Sequence, residues 1–191
     1  MKWCWLVFIK NVGPRLKVFK LCLNIPSLGI NFENAIKECP LIEEVDLSRS
    51  SVTFEVCRQS WACSETLRSL NLCHIPRQGT HFNANKWEEH QLASKKFVTQ
   101  FRNLRELGVE YISDDNILDY SSTLSPSLPS TSNSYIPIEK MRISRNSTPF
   151  LTSDQVPTFL EKYPYLKSLH QYALSNDVIQ LLKQAGIEVH R

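Results

Sequence analysis

Apolar residues recur along this chain in one spacing, clearest where CPLIEEVDLSRSSVT runs from Cys39 to Thr53. There Ile42, Val45 and Leu47 stand three and then two positions apart, with Ser50 three further on. The same spacing returns as Leu16, Phe19, Leu21 and Asn24, as Leu67, Leu70, Leu72 and Ile75, and as Leu104, Leu107, Val109 and Ile112. Weaker copies are Ile138, Met141, Ile143 and Asn146, and then Leu166 and Leu169 with Gln171 where an apolar residue is due. The six starts, at 16, 42, 67, 104, 138 and 166, lie 26, 25, 37, 34 and 28 residues apart.

In each rung the last two apolar residues alternate with polar ones, as in a short strand with one face buried. The first apolar residue packs beneath that strand, and the segment after the rung returns on the other side. One such unit cannot bury its own apolar face, so neighbours must stack. The spacing resembles the leucine-rich repeat, whose period is about 20–29 residues. The expected fold is therefore α/β: a leucine-rich-repeat solenoid, a short horseshoe with parallel strands on the concave face and helices on the convex face. The competing reading is an ordinary α/β domain of alternating strands and helices. Residues 1–191 are read as one such domain of about six rungs, with 1–13 as the remnant of an incomplete repeat.

Between rungs the pattern changes to helical. Phe32, Ala35, Ile36 and Cys39 form a helical stripe that Pro40 stops. A helix is expected from about Glu55 to Cys63, and a longer one where Asn85 and Glu88 resemble a capping box ahead of Ala93, Phe97, Val98 and Phe101. Residues 75–84 read as a loop. Residues 113–134 are dense in Ser, Thr and Pro and read as an exposed, disordered insertion, in which Ser125-Pro126 suits a proline-directed kinase. A helix follows over Thr152–Tyr163 with Thr152 or Ser153 as cap and Pro157 near its first turn. The last helix has Asn176 as cap, Val178, Leu181, Leu182 and Ala185 on one face, and Gly186 as stop, before a short strand at Ile187 and Val189.

Two further features resemble the cysteine-containing repeats of F-box proteins: Cys39-Pro40 leading into a rung, and the parallel lead-ins Phe101-Arg102-Asn103-Leu104 and Tyr163-Pro164-Tyr165-Leu166. That resemblance implies a substrate-recognition role in a cullin–RING (SCF-type) ubiquitin ligase, with a Skp-type adaptor and cullin reached through a region not present in this sequence. The zyg-11-type receptors of a different cullin resemble it too. The departures are that no F-box precedes Leu16 and that the family's cysteine position is Asn24, Ser50, Ile75, Ile112 and Asn146 here. A leucine-rich-repeat scaffold or signalling adaptor without a ligase role is the alternative.

Composition narrows the function classes. The chain is 42% hydrophobic and 21% charged, and its net charge of +3 from 22 basic and 19 acidic residues is too mild to argue for nucleic acid. No stretch approaches the eighteen or so apolar residues of a membrane span. Trp3 to Ile9 is apolar but too short and aromatic for a secretion signal, with no small-residue cleavage site after it. Six cysteines without a CxxC pair suit buried, reduced thiols, so a cytoplasmic or nuclear location is expected, and Asn146-Ser147-Thr148 is a glycosylation sequon that would matter only in a secreted protein.

No phosphate-cradling glycine motif, GxSxG or HExxH is present, so no enzyme, cofactor or metal is expected. Cys57, Cys63, Cys73, His74 and His81 are crowded but lack the paired spacing of zinc sites. The candidate site is the outward face of the strands, and it would bind a protein. It comprises Lys20, Glu44, Asp46, Ser48, Asn71, Glu106, Glu110, Lys140, Arg142 and His170, with Cys22, Cys73, Gly108, Ser144 and Tyr172 also facing out. Acidic groups dominate its second and fourth rungs and basic groups the fifth, a pattern that would steer and register a partner of mixed charge.

Overall fold

A computed structural model describes residues 10–21, 36–49, 60–73, 97–110, 136–144 and 151–191. Seven short strands lie in these segments: β1 (Val18–Lys20), β2 (Glu44–Asp46), β3 (Ser69–Asn71), β4 (Glu106–Glu110), β5 (Lys140–Ser144), β6 (Ser168–His170) and β7 (Glu188–His190). They form one sheet in strict chain order, and every neighbouring pair is parallel. Parallel neighbours cannot be joined by a tight turn, so a crossover connection must link each strand to the next.

The register follows the apolar spacing. Phe19, Val45, Leu70, Leu107, Met141, Leu169 and Val189 pair across the sheet, and the first six are the fourth positions of the six rungs. All six of these rung residues are buried. The first positions Ile42, Leu67, Leu104, Ile138 and Leu166 form a second buried column, and Leu47, Leu72, Val109 and Ile143 a third. Burying each such side chain contributes roughly 1.5–3 kcal/mol. A one-residue slip of any strand would turn its buried column to solvent, which fixes the register. Gln171 continues the third column and is wholly buried, its backbone N–H donating to His190 O at 3.0 Å.

A second device supports the stacking. Lys17, Glu43, Arg68, Arg105, Glu139 and Lys167 each follow a first position, and their backbones form a continuous ladder at 2.7–2.8 Å. Their side chains mostly alternate in sign. Lys17 pairs with Glu43 at 2.9 Å, and Glu139 is clasped by Arg105 on one side and by Lys167 at 2.7 Å on the other. The cations hold the Glu43 and Glu139 carboxyls below the usual range, Lys17 acting on the first and Lys167 with Arg105 on the second. Lead-in residues also tie rung to rung. Thr66 donates its hydroxyl to Ile42 O at 2.8 Å, and Asn103 donates its side-chain amide to Glu65 O at 2.7 Å.

Behind the sheet, Trp61, Phe97 and Phe101 interlock edge to face with centroids 4.8–5.6 Å apart. Phe97 and Val98 are helical, whereas Ala62 to Thr66 form turns, so Cys63 lies outside any helix. The expected helix over 55–63 otherwise falls outside the described residues, as do the loop over 75–84, most of the long helix beginning at 85 and the Ser/Pro-rich stretch 113–134.

The helix expected over 152–163 begins as a 3-10 turn, Ser153–Gln155, and becomes α-helical as α1 (Val156–Lys162). Gln155 Oε1 accepts the Thr152 N–H at 3.1 Å, and Pro157 sits in the first α-turn, where no intrahelical N–H is required. The last helix, α2 (Asn176–Gln184), is capped one residue earlier than the sequence suggests. Ser175 Oγ accepts the Val178 N–H at 3.3 Å, leaving Asn176 Oδ1 to accept from Arg191 at 2.7 Å. Val178 and Leu182 are buried and Ile179 packs beside them, whereas Leu181 and Ala185 face solvent. Gly186 ends the helix at φ 82°, a conformation glycine adopts without Cβ strain, and hands the chain to β7.

Candidate functional site

Two rows of side chains stand on the solvent side of the sheet, because the register aligns the residues on either side of each central buried position. One row is Val18, Glu44, Ser69, Glu106, Lys140, Ser168 and Glu188. The other is Lys20, Asp46, Asn71, Gly108, Arg142, His170 and His190. From β2 to β7 the two rows, Glu188 apart, line a groove of about 470 Å³.

Most charge in the first row is internally matched. Glu44 accepts from Lys20 at 2.7 Å and Glu106 from Lys140 at 2.7 Å, while Glu188 lies 3.4 Å from His190 Nε2. Glu106 also takes the Ser69 hydroxyl at 3.4 Å. These pairs are largely exposed, so solvent and salt screen them and each contributes little to stability.

The second row uses its polar groups differently. Asp46 Oδ1 accepts the Ser48 N–H at 2.8 Å, and Asn71 Oδ1 accepts the Cys73 N–H at 3.1 Å. Both side chains thus cap the turn that ends their own strand, a local habit of Asp and Asn. Gly108 gives Asn71 its space. A Cβ there would lie 2.4 Å from Asn71 Oδ1 and 3.2 Å from Cys73 Sγ. The row ends in an aromatic group: His170 stacks on His190 at 6.2 Å between centroids and meets Tyr172 edge-on at 5.2 Å. Partial burial, then the positive charges of Arg142 and His190, push the His170 pKa down.

Of the ten expected site residues, Lys20, Glu44, Asp46, Asn71, Glu106, Lys140, Arg142 and His170 lie on these rows. Ser48 sits beyond β2 in the turn that Asp46 caps, half-buried. The backbone of Glu110 pairs with Ser144, and its side chain is outside what the structure describes. Tyr172 is exposed at the end of the row, as anticipated.

Three further positions expected to face out are buried. Gly108 is enclosed beneath Asn71. Cys73 turns inward after β3 and directs its thiol to Val109 O at 3.6 Å, and Ser144 is buried at the far end of β5. Cys22 lies outside the described residues. Glu188 and His190 join the site without having been anticipated, although the alternation around Ile187 and Val189 places them outward.

The described thiols offer little nucleophilic chemistry. Cys39, Cys63 and Cys73 form no disulfide and are buried. Burial pushes Cys63 up to about 12 and raises the other two, so the thiolate is scarce at neutral pH. No cluster of three or more metal-ligating side chains occurs among the described residues, and Cys57, His74 and His81 fall outside them. Among the described residues no helix is long and apolar enough to cross a membrane.

No protein-family model matches the chain, and no curated protein matches it significantly. Among solved structures, this chain is similar to actin-binding site 2 of leiomodin-1, at 12% identity and a TM-score of 0.44. The match covers 95% of this chain and 84% of that one.

Proposed function

We propose that this chain is a leucine-rich-repeat solenoid, a short horseshoe whose concave strand face binds another protein without catalysing a reaction. One observation carries the reading: seven parallel strands in chain order hold two aligned rows of polar and charged side chains over a groove of about 470 Å³. Stacked repeats use such extended curved faces as binding surfaces. Short rigid strands position each group while the buried columns carry the stability, so the outward residues are free to vary with the partner.

The narrower role we propose is substrate recognition within a cullin–RING ubiquitin ligase. Its support is the sequence resemblance at Cys39-Pro40 and the two parallel lead-ins. A scaffold or signalling adaptor uses the same surface without the ligase.

Affinity capture from cell lysate, read by mass spectrometry, tests both levels. The wild-type chain is compared with a variant carrying Glu106→Lys and Lys140→Glu, which preserves an ion pair but inverts its polarity. A partner enriched by wild type and lost by the variant is the expected result; the same partners on both proteins would refute use of this face. A Skp-type adaptor or a cullin among the lost partners supports the ligase role, and a different partner in their place supports the scaffold.

A further inference from the structure

Once the internal ion pairs of the groove are set aside, two unlike charges stand without a side-chain counter-ion among the described residues. Lys20 is matched to Glu44 and Lys140 to Glu106. Asp46 spends one carboxylate oxygen on the Ser48 N–H, and Arg142 forms no ion pair among the described residues. Asp46 and Arg142 lie in the same outward row, three strands apart, with Asn71 and Gly108 between them. Gly108 has no side chain and Asn71 leans over it, so the row is low between its two charged posts. Beyond Arg142, the row continues through His170 and His190, with Glu188 beside His190.

We propose that the groove receives an extended segment of the partner protein that crosses the strands and carries one basic and one acidic side chain about four residues apart. The basic side chain meets Asp46 and the acidic one meets Arg142. This rests on the protein-binding reading above and specifies the ligand of that same face. The spacing follows from the sheet. Neighbouring strands lie about 4.8 Å apart, so three steps span roughly 14 Å. An extended chain advances about 3.3–3.6 Å per residue, which makes about four residues. Either chain direction satisfies the two charges, so the order of acid and base along the segment is free. A segment with both charges of one sign would leave one post facing its like, which is how such a surface rejects partners.

The test is selection of a random dodecapeptide display library on the full 191-residue chain, followed by fluorescence anisotropy on enriched peptides. Two variants separate charge from structure. Asp46→Asn keeps an oxygen for the Ser48 N–H, as Asn71 does one strand along, and removes only the charge. Arg142→Glu alters an exposed side chain. Enriched peptides are expected to carry opposite charges about four residues apart. Arg142→Glu should weaken them about five- to tenfold, and exchanging the peptide's acidic residue for lysine should restore binding to that variant. Enriched peptides that bind both variants as tightly as wild type would overturn this proposal and leave the protein-binding reading standing. A library that yields no binder would overturn both.

Discussion

Gly108→Ala tests how closely neighbouring rungs are fitted together, and its cost can be worked from contacts alone. Gly108 does not adopt a positive φ, so alanine brings no backbone strain. The new Cβ would sit 2.4 Å from Asn71 Oδ1, closer than such atoms approach, and a tight 3.0 Å from Asn71 Cγ. Asn71 cannot move aside without cost, because its Oδ1 holds the Cys73 N–H at 3.1 Å beside a side chain that is only 3% exposed. Losing that acceptor strands a backbone donor, at about 1–3 kcal/mol. The reduced freedom of the unfolded alanine chain returns about 0.4–1 kcal/mol. The net expectation is a loss of about 1–2 kcal/mol, or a Tm about 2–8 °C lower for a chain of this size.

Urea unfolding followed by circular dichroism, on wild type, both single variants and the Asn71→Ala/Gly108→Ala pair, checks this. Asn71→Ala removes both the acceptor and the clash, so the double variant should be no less stable than Asn71→Ala alone. The single costs should therefore fail to add, by about 1 kcal/mol. A Gly108→Ala protein as stable as wild type, or two costs that simply add, would refute the argument.

Other consequences follow from caps, charges and thiols. Ser175→Ala removes the oxygen that takes the Val178 N–H and should cost about 1 kcal/mol in the same assay, with Ser175→Asp largely retaining stability. Glu139 is held below its usual pKa by Lys167 and Arg105, so its contribution is complete above the ordinary carboxyl range near 4.5 and is lost as pH falls through the lowered value. Glu139→Gln should accordingly lower stability at neutral pH and flatten its fall on acidification, measured as Tm against pH; an unchanged profile would remove the clasp from the account. Cys39, Cys63 and Cys73 should resist iodoacetamide at pH 8 in the folded protein and react on unfolding, with peptide mass spectrometry reading each site. Rapid native labelling of Cys63 would contradict its burial and a pKa of about 12.

What the sequence determined by itself was the stacking unit. The three-then-two apolar spacing is dictated by the pleat of a short strand, and a strand with one buried face admits one register. Phe19, Val45, Leu70, Leu107, Met141 and Leu169 were therefore assignable to one line before any coordinates, and so were the outward neighbours Glu44, Asp46, Lys140 and Arg142. Gly186 as a helix stop was legible for the same local reason.

Tertiary structure decided what depends on contacts between residues far apart in sequence. Which charges cancel is one such matter: Lys140 meets Glu106 and Lys20 meets Glu44, which leaves Asp46 and Arg142 without an ion pair among the described residues. Alternation predicts that Cys73 and Ser144 face out, yet Cys73 lies past the end of its strand, where alternation no longer applies. Beyond β3 the chain turns and the Cys73 thiol finds Val109 O, while Ser144 is covered at the far end of β5. Leu181 and Ala185 share a helical face with Leu182 by spacing, but the width of the surface under α2 admits Val178, Leu182 and part of Ile179. Periodicity names the faces of an element, and only packing sets how much of each face is covered.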